Sequence, residues 1–115
     1  MAASCSAPTV PSRWTSEVIY EHAHLVIKKG DEDAFEKAFL AARPILESAP
    51  GCHTAELFRS ADVHATYLLR VGWNRVTDHV DIFPTTPQAA RFAEHVAKYF
   101  DTAPTVTHVE SHAVT

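Results

Sequence analysis

From Val18 to Lys28 the chain reads VIYEHAHLVIK, and its polar and apolar positions alternate. Ile19, Glu21, Ala23, Leu25 and Ile27 fall on one side, and Tyr20, His22, His24 and Val26 on the other. A period of two predicts a β-strand. The first set is the more apolar, so it should face the core and carry Glu21 with it. After Gly30 the period changes. Asp31-Glu-Asp-Ala opens a helix, with acids at the positive end of its dipole. Phe35, Ala38, Phe39, Ala42, Ile45 and Leu46 recur at helical spacing and form one apolar stripe. Pro44 has no amide proton and predicts a kink or early weakening, and Pro50-Gly51 ends the unit. Cys52–Ser60 and His64–Trp73 then read as strands joined by Ala61-Asp62-Val63, an antiparallel hairpin. In the second of these, Ala65, Tyr67, Leu69, Val71 and Trp73 share a face. A polar turn, a short helix, Pro84 and Pro87 precede a longer helix striped by Ala89, Phe92, Ala93, Val96, Tyr99 and Phe100. PTVTHVES near the end reads as a fourth strand.

The order β-α-β-β-α-β predicts an α+β, ferredoxin-like fold: a four-stranded antiparallel sheet with both helices on one face. The other face would carry Tyr20, His22, His24, Val26, Thr66 and Leu68, which is too apolar to stay fully wet. Sheet-to-sheet homodimerisation is the expected remedy. Residues 1–16 are small, Ser-rich and broken by Pro8 and Pro11, and they read as a loosely ordered arm ahead of a domain at 17–112. The arm has neither the basic nor the apolar segment of a secretory signal. Cys5 and Cys52 form no recognisable motif, so a reducing cytoplasm is the expected location.

Composition narrows the function classes. A length of 115 residues holds one core. The net charge of -4 disfavours nucleic acid, whose backbone attracts clustered Lys and Arg. No apolar run approaches the roughly 20 residues of a membrane span. There is no phosphate-binding glycine loop and no nucleophile elbow.

Four segments resemble the antibiotic biosynthesis monooxygenase domain proteins: VIYEHAHLVIKKGDEDAFEKAF, PGCHTAELFRS, TYLLRVGWNRVTDHVDIF and YFDTAPTVTHVE. Together they cover roughly residues 17 to 110, and their order and spacing carry the resemblance more than any single motif. The resemblance implies a homodimer whose two sheets form a dimeric α/β barrel, with a pocket between each sheet and its own helices. It also implies oxygenation of anthrone- or quinol-type aromatics by O2 without metal or flavin. Other members degrade haem, act on small signalling molecules or have no known substrate, and relatives on this fold cyclise polyketides without oxidation. The haem-degrading pattern joins a first-strand Asn, a Trp ending the third strand and a helical His. Trp73 matches; the first position falls near His22 or Ala23, and Phe83 stands near the His position. Two of three residues depart, which argues against haem degradation.

Cofactor-free oxygenation needs a base, an apolar pocket and polar groups that hold the substrate's oxygens. Glu21, on the core face, would have its pKa raised by burial; alternatively it forms a salt bridge, Arg59 being a candidate. His53, expected on the face of Ala55 and Leu57, is a second candidate base. His79 would supply a polar contact at the pocket mouth, while Asp78 caps the helix. Trp73 would be a pocket wall or a core plug, and Tyr67, Phe83 and Phe92 would line the substrate. An active pocket should be an apolar cavity of about 300 Å³ or more beside Trp73. His22 and His24, with His64 or His108, form a metal candidate, but no carboxylate or Cys joins them at a ligand spacing. The expectation is therefore no metal and no bound cofactor. A non-oxidative cyclase or isomerase, and a ligand-binding or structural dimer without turnover, are the alternatives.

Overall fold

A computed structural model describes residues 18–114, so the arm placed at residues 1–16, with Cys5, lies outside the described residues. The elements run β1 (Ile19–Val26), α1 (Glu32–Glu47), β2 (Cys52–Arg59), β3 (Thr66–Trp73), α2 (Pro87–Val96) and β4 (Thr105–Glu110). The sheet order is β2-β3-β1-β4 with antiparallel neighbours throughout. This is the expected ferredoxin-like arrangement. Within one chain the sheet is open rather than closed into a barrel.

Alternation decides the layers as expected. Glu21, Ala23, Leu25 and Ile27 of β1 and its extension are buried, and so are Tyr67, Leu69, Val71 and Trp73 of β3. They meet Phe35, Phe39, Ala42 and Leu46 of α1 and Val96 of α2. Helix α1 runs through Pro44 to Glu47 instead of stopping early. The carbonyl that Pro44 leaves without a helical donor belongs to Leu40, which is exposed and open to water. Helix α2 begins at Pro87 behind Thr86, whose hydroxyl accepts the Ala89 N–H at 3.3 Å. Its stripe is narrower than expected. Ala93 is exposed, and Tyr99 and Phe100 reach the core from a short 3-10 turn and the residue after it.

Two local departures from the expected pattern matter for the site. The β2–β3 connection spans residues 60–65 and not only 61–63, because Ala65 turns back in the left-handed region (φ 59°) and Ser60 N–H closes on Thr66 O at 2.8 Å. At the other end of the hairpin, Cys52 pairs with Trp73 and Ala55 with Val71, so β2 carries one extra residue in a bulge.

Gly51, just before that bulge, has φ +81°, and a Cβ placed there would lie 2.6 Å from the Asp78 carboxyl group. Its carbonyl accepts the Asn74 N–H at 2.8 Å, which ties the two loops together. Gly30 has φ +91° but nothing within 4 Å. Gly51→Ala is therefore expected to destabilise by about 2–3 kcal/mol, from left-handed strain plus displacement of Asp78. Gly30→Ala should cost only about 1 kcal/mol, the strain alone. Denaturant midpoints of the two variants check this, and equal losses would contradict it.

Candidate active site

Strand register brings the chemistry together. Glu21 pairs with Val71 on one side and His108 on the other, and Ile19 pairs with Trp73. Glu21, His108 and Trp73 therefore share the helix-side face of three adjacent strands. The chain leaving β3 winds into a π-helical turn, Asp78–Ile82, then a 3-10 turn, Phe83–Thr85. A π turn holds one more residue per hydrogen-bonded ring than an α turn and re-aims its side chains. Here it lays His79 flat on the Trp73 indole, with ring centroids 5.3 Å apart and planes 18° apart. Phe83 closes the stack edge-on at 5.3 Å. Asp78, itself buried, anchors the turn by accepting the Arg75 backbone N–H at 3.1 Å and an Arg75 guanidinium N–H at 3.2 Å.

The polar atoms form a chain. Trp73 Nε1–H donates to Glu21 Oε1 at 3.0 Å. His79 Nε2 lies 3.3 Å from the same oxygen, and its Nδ1 lies 2.8 Å from His108 Nε2. Trp73 is 0% exposed and Glu21 7%. Removing a carboxylate from water penalises its charged form. Burial therefore pushes the Glu21 carboxyl up to about 7, with the Trp73 N–H partly offsetting it. Burial, and the neighbouring His108, push His79 down to about 4. Both shifts favour a neutral pair, and Glu21 exchanges its proton near neutral pH, where a general base is most useful. Cys52, across β3, stays a thiol because burial, then Glu47 and Glu21, raise it to about 12.

The other expected site residues lie elsewhere. The bulge turns His53 away from the face of Ala55: it is exposed and hydrogen-bonded to the Asn74 side chain. Tyr67 sits further along the sheet, opposite Leu25, and its hydroxyl donates to Glu36 at 2.5 Å. Phe92 packs edge-on against Phe39, between the helices. Arg59 does not reach Glu21; it holds Glu36 through two contacts of 2.8 Å. His22 and His24 face away from the helices, His64 pairs with Glu32 at 2.8 Å, and His108 points to the opposite face from His22. Among the described residues no group of three or more His, Cys, Asp or Glu side chains is arranged to hold a metal ion.

His79 is more central than a mouth contact, and no sequence period marks a π turn. His108 was legible only as a metal candidate, on the wrong face, because its position depends on the β1–β4 register. Two clefts open away from Trp73. Clefts of about 610 and 440 Å³ lie between α1 and the far end of the β2–β3 hairpin, around Glu36, Arg59 and Tyr67. Beside Glu21 runs the helix-side face of β4. Val106 there is 40% exposed and leads to half-buried His108.

A model of the family described as antibiotic biosynthesis monooxygenase matches residues 18–95. The uncharacterized protein YczJ of Bacillus subtilis (strain 168) is 31% identical over 93 residues, covering 81% of this chain and 98% of its own. A solved structure from Bordetella bronchiseptica that carries the family's name superposes with a TM-score of 0.81 at 30% identity, covering 85% of this chain and all of that one. One from Caulobacter crescentus CB15 gives 0.71 at 18% identity, over 87% and 94% of the two chains, and speaks to the fold alone. No helix among the described residues is long and apolar enough to cross a membrane.

The Glu21 shift has a consequence for stability. The folded chain holds a proton that the unfolded chain releases between pH 4.5 and about 7. The stability this contributes is complete below the unfolded value and is lost as pH rises through the folded value, a change of roughly 3 kcal/mol. His79 acts oppositely: its contribution is present above pH 6.5 and lost as pH falls towards about 4. Glu21→Gln keeps an acceptor for Trp73 but removes the titration. Its stability relative to the parent should rise by about 2–3 kcal/mol between pH 5 and 8 in denaturant titrations, and a pH-independent difference would contradict the buried carboxyl.

Proposed function

The chain belongs to the antibiotic biosynthesis monooxygenase family, and from that premise we propose that it oxygenates an aromatic or quinol-type metabolite with O2 and no bound metal or flavin. The observation that carries this reading is the Glu21 carboxyl, enclosed beside Trp73 and raised to about 7. Such a group removes an acidic proton from an electron-rich phenol or enol at neutral pH. In an apolar setting the resulting anion transfers one electron to O2, and the radical pair recombines at carbon. Loss of water from the hydroperoxide completes the balance: an anthrone-type CH2 and O2 give C=O and H2O. The substrate would lie along the helix-side face of β4, over Val106, with its ionising oxygen near Glu21 and His79. Trp73 holds the carboxylate in place, and Phe83 keeps water from the indole. His53, Tyr67 and Phe92 have other partners, Asn74, Glu36 and Phe39, and take no part in the proposed step.

The same reading includes a homodimer in the cytoplasm. Phe58, Val26 and Val109 are exposed on the sheet face away from the helices, and His22 Nε2 and Arg70 Nε are buried there without a hydrogen-bond partner among the described residues. A second copy laid on this face would cover the apolar groups, and sedimentation at twice 12.7 kDa is the expected result.

The complete enclosure of Trp73 favours a second reading, a ligand-binding or structural dimer without turnover. An oxygen electrode with a panel of anthrones and quinols separates the two. One panel member should drive O2 uptake whose rate rises with pH through about 7 as Glu21 loses its proton. Glu21→Gln should lower that rate by about 10²-fold or more. Substrate loss without O2 uptake would indicate a non-oxidative cyclase or isomerase, and binding without either would support the second reading.

A further inference from the structure

The atoms around Glu21 form an ordered path as well as a base. Glu21 Oε1, His79 Nε2, His79 Nδ1 and His108 Nε2 follow one another, with gaps of 3.3 Å and 2.8 Å across the two contacts. The path starts at a carboxyl that is 7% exposed, crosses an imidazole whose side chain is 17% exposed, and ends on an edge strand whose other residues are exposed. We infer that His79 and His108 are a proton relay that carries the proton taken by Glu21 out to solvent at the β4 edge. His108 is thereby a positioning residue that acts on the base through His79. The relay rests on the proposed role of Glu21 as base.

The step balances without a further reactant. In the resting pair His79 is neutral, with its proton on Nδ1 donated to His108 Nε2 and its Nε2 lone pair facing Glu21. Once Glu21 has taken a substrate proton, its O–H passes that proton to His79 Nε2. His79 releases its Nδ1 proton to His108 Nε2, and His108 gives up the proton on its own Nδ1 to water. Glu21 is again a carboxylate. Exchange with water returns both imidazoles to their starting tautomers. The geometry explains why a buried imidazole is useful here: a neutral ring with one donor and one acceptor nitrogen passes a proton without ever holding a stable charge. Trp73 on β3 offers only a donor, directed at Glu21; Cys52 on β2 is a protonated thiol; Asp78 on the same turn is occupied by Arg75; and Glu110 is the next residue on the His108 side of β4, a carboxylate near the solvent end of the path.

The test reads the tautomers of ¹⁵N-labelled histidines in the full chain by NMR at pH 7, without any ligand. In the parent, His79 should carry its proton on Nδ1. In His108→Leu, which removes the acceptor, it should move to Nε2 and point at Glu21. In His108→Gln, whose side-chain oxygen still accepts, it should remain on Nδ1. A His79 that is Nε2-protonated in the parent, or whose tautomer ignores His108→Leu in a variant with an otherwise native spectrum, would overturn the relay. A second arm uses any anthrone or quinol whose O2 uptake depends on Glu21. His108→Gln should slow that uptake by about tenfold or more in dilute buffer, and added imidazole should restore it. Unchanged uptake in His108→Gln would also overturn the relay. If no panel member shows Glu21-dependent uptake, the base assignment fails, while the tautomer arm still decides the wire.

Discussion

A carboxyl group on the core side of a central strand is the constraint around which the rest is arranged. Glu21 faces inward because β1 alternates, and among the described residues no Lys or Arg forms an ion pair with it. Arg59, which would have neutralised it, is committed to Glu36. Burying an unpaired carboxylate is costly, so the fold supplies an indole N–H and an imidazole nitrogen and lets the group hold its proton. The same choice explains Trp73 at the end of β3, the π turn that brings His79 onto it, and the close approach at Gly51 that anchors the turn through Asp78.

Strength and reactivity are coupled in this arrangement. Trp73, His79 and Phe83 stack into a closed wall, and stacked or edge-on rings add to the area they bury. That wall keeps water away on the side of the helices, while the β4 side remains open through Val106 and His108. A carboxyl that titrates near neutrality costs stability once it ionises, and such local costs are characteristic of sites that do chemistry. The outer face of the sheet carries a different burden, apolar surface with two buried nitrogens that lack a hydrogen-bond partner among the described residues.

Most of the fold was legible because it rests on local periods. The alternation of β1 placed Glu21 inside, and the stripe of Phe35, Phe39, Ala42 and Leu46 placed α1 over it. The alternation of β3 likewise placed Trp73 on the core face. What the sequence hid depends on single-residue shifts or on pairing between distant strands. One extra residue in β2 turned His53 outward, since a one-residue slip exchanges the faces of a strand. A π turn, which no sequence period marks, sets His79 against the Trp73 indole. The pairing of Glu21 with His108 joins residues at opposite ends of the domain, and neither segment shows it alone. Pro44 does not end α1, because an exposed helix face tolerates one missing backbone donor.

The central claim is that Glu21 is a buried carboxyl, poised by its surroundings to exchange a proton near neutrality. The most direct measurement is a ¹³C NMR titration of glutamate side-chain carboxyls, with Glu21 assigned by comparison with Glu21→Gln. Its resonance should move with a midpoint near 7, well above the ordinary carboxylate range. A midpoint near 4.5, the unperturbed value, would contradict it.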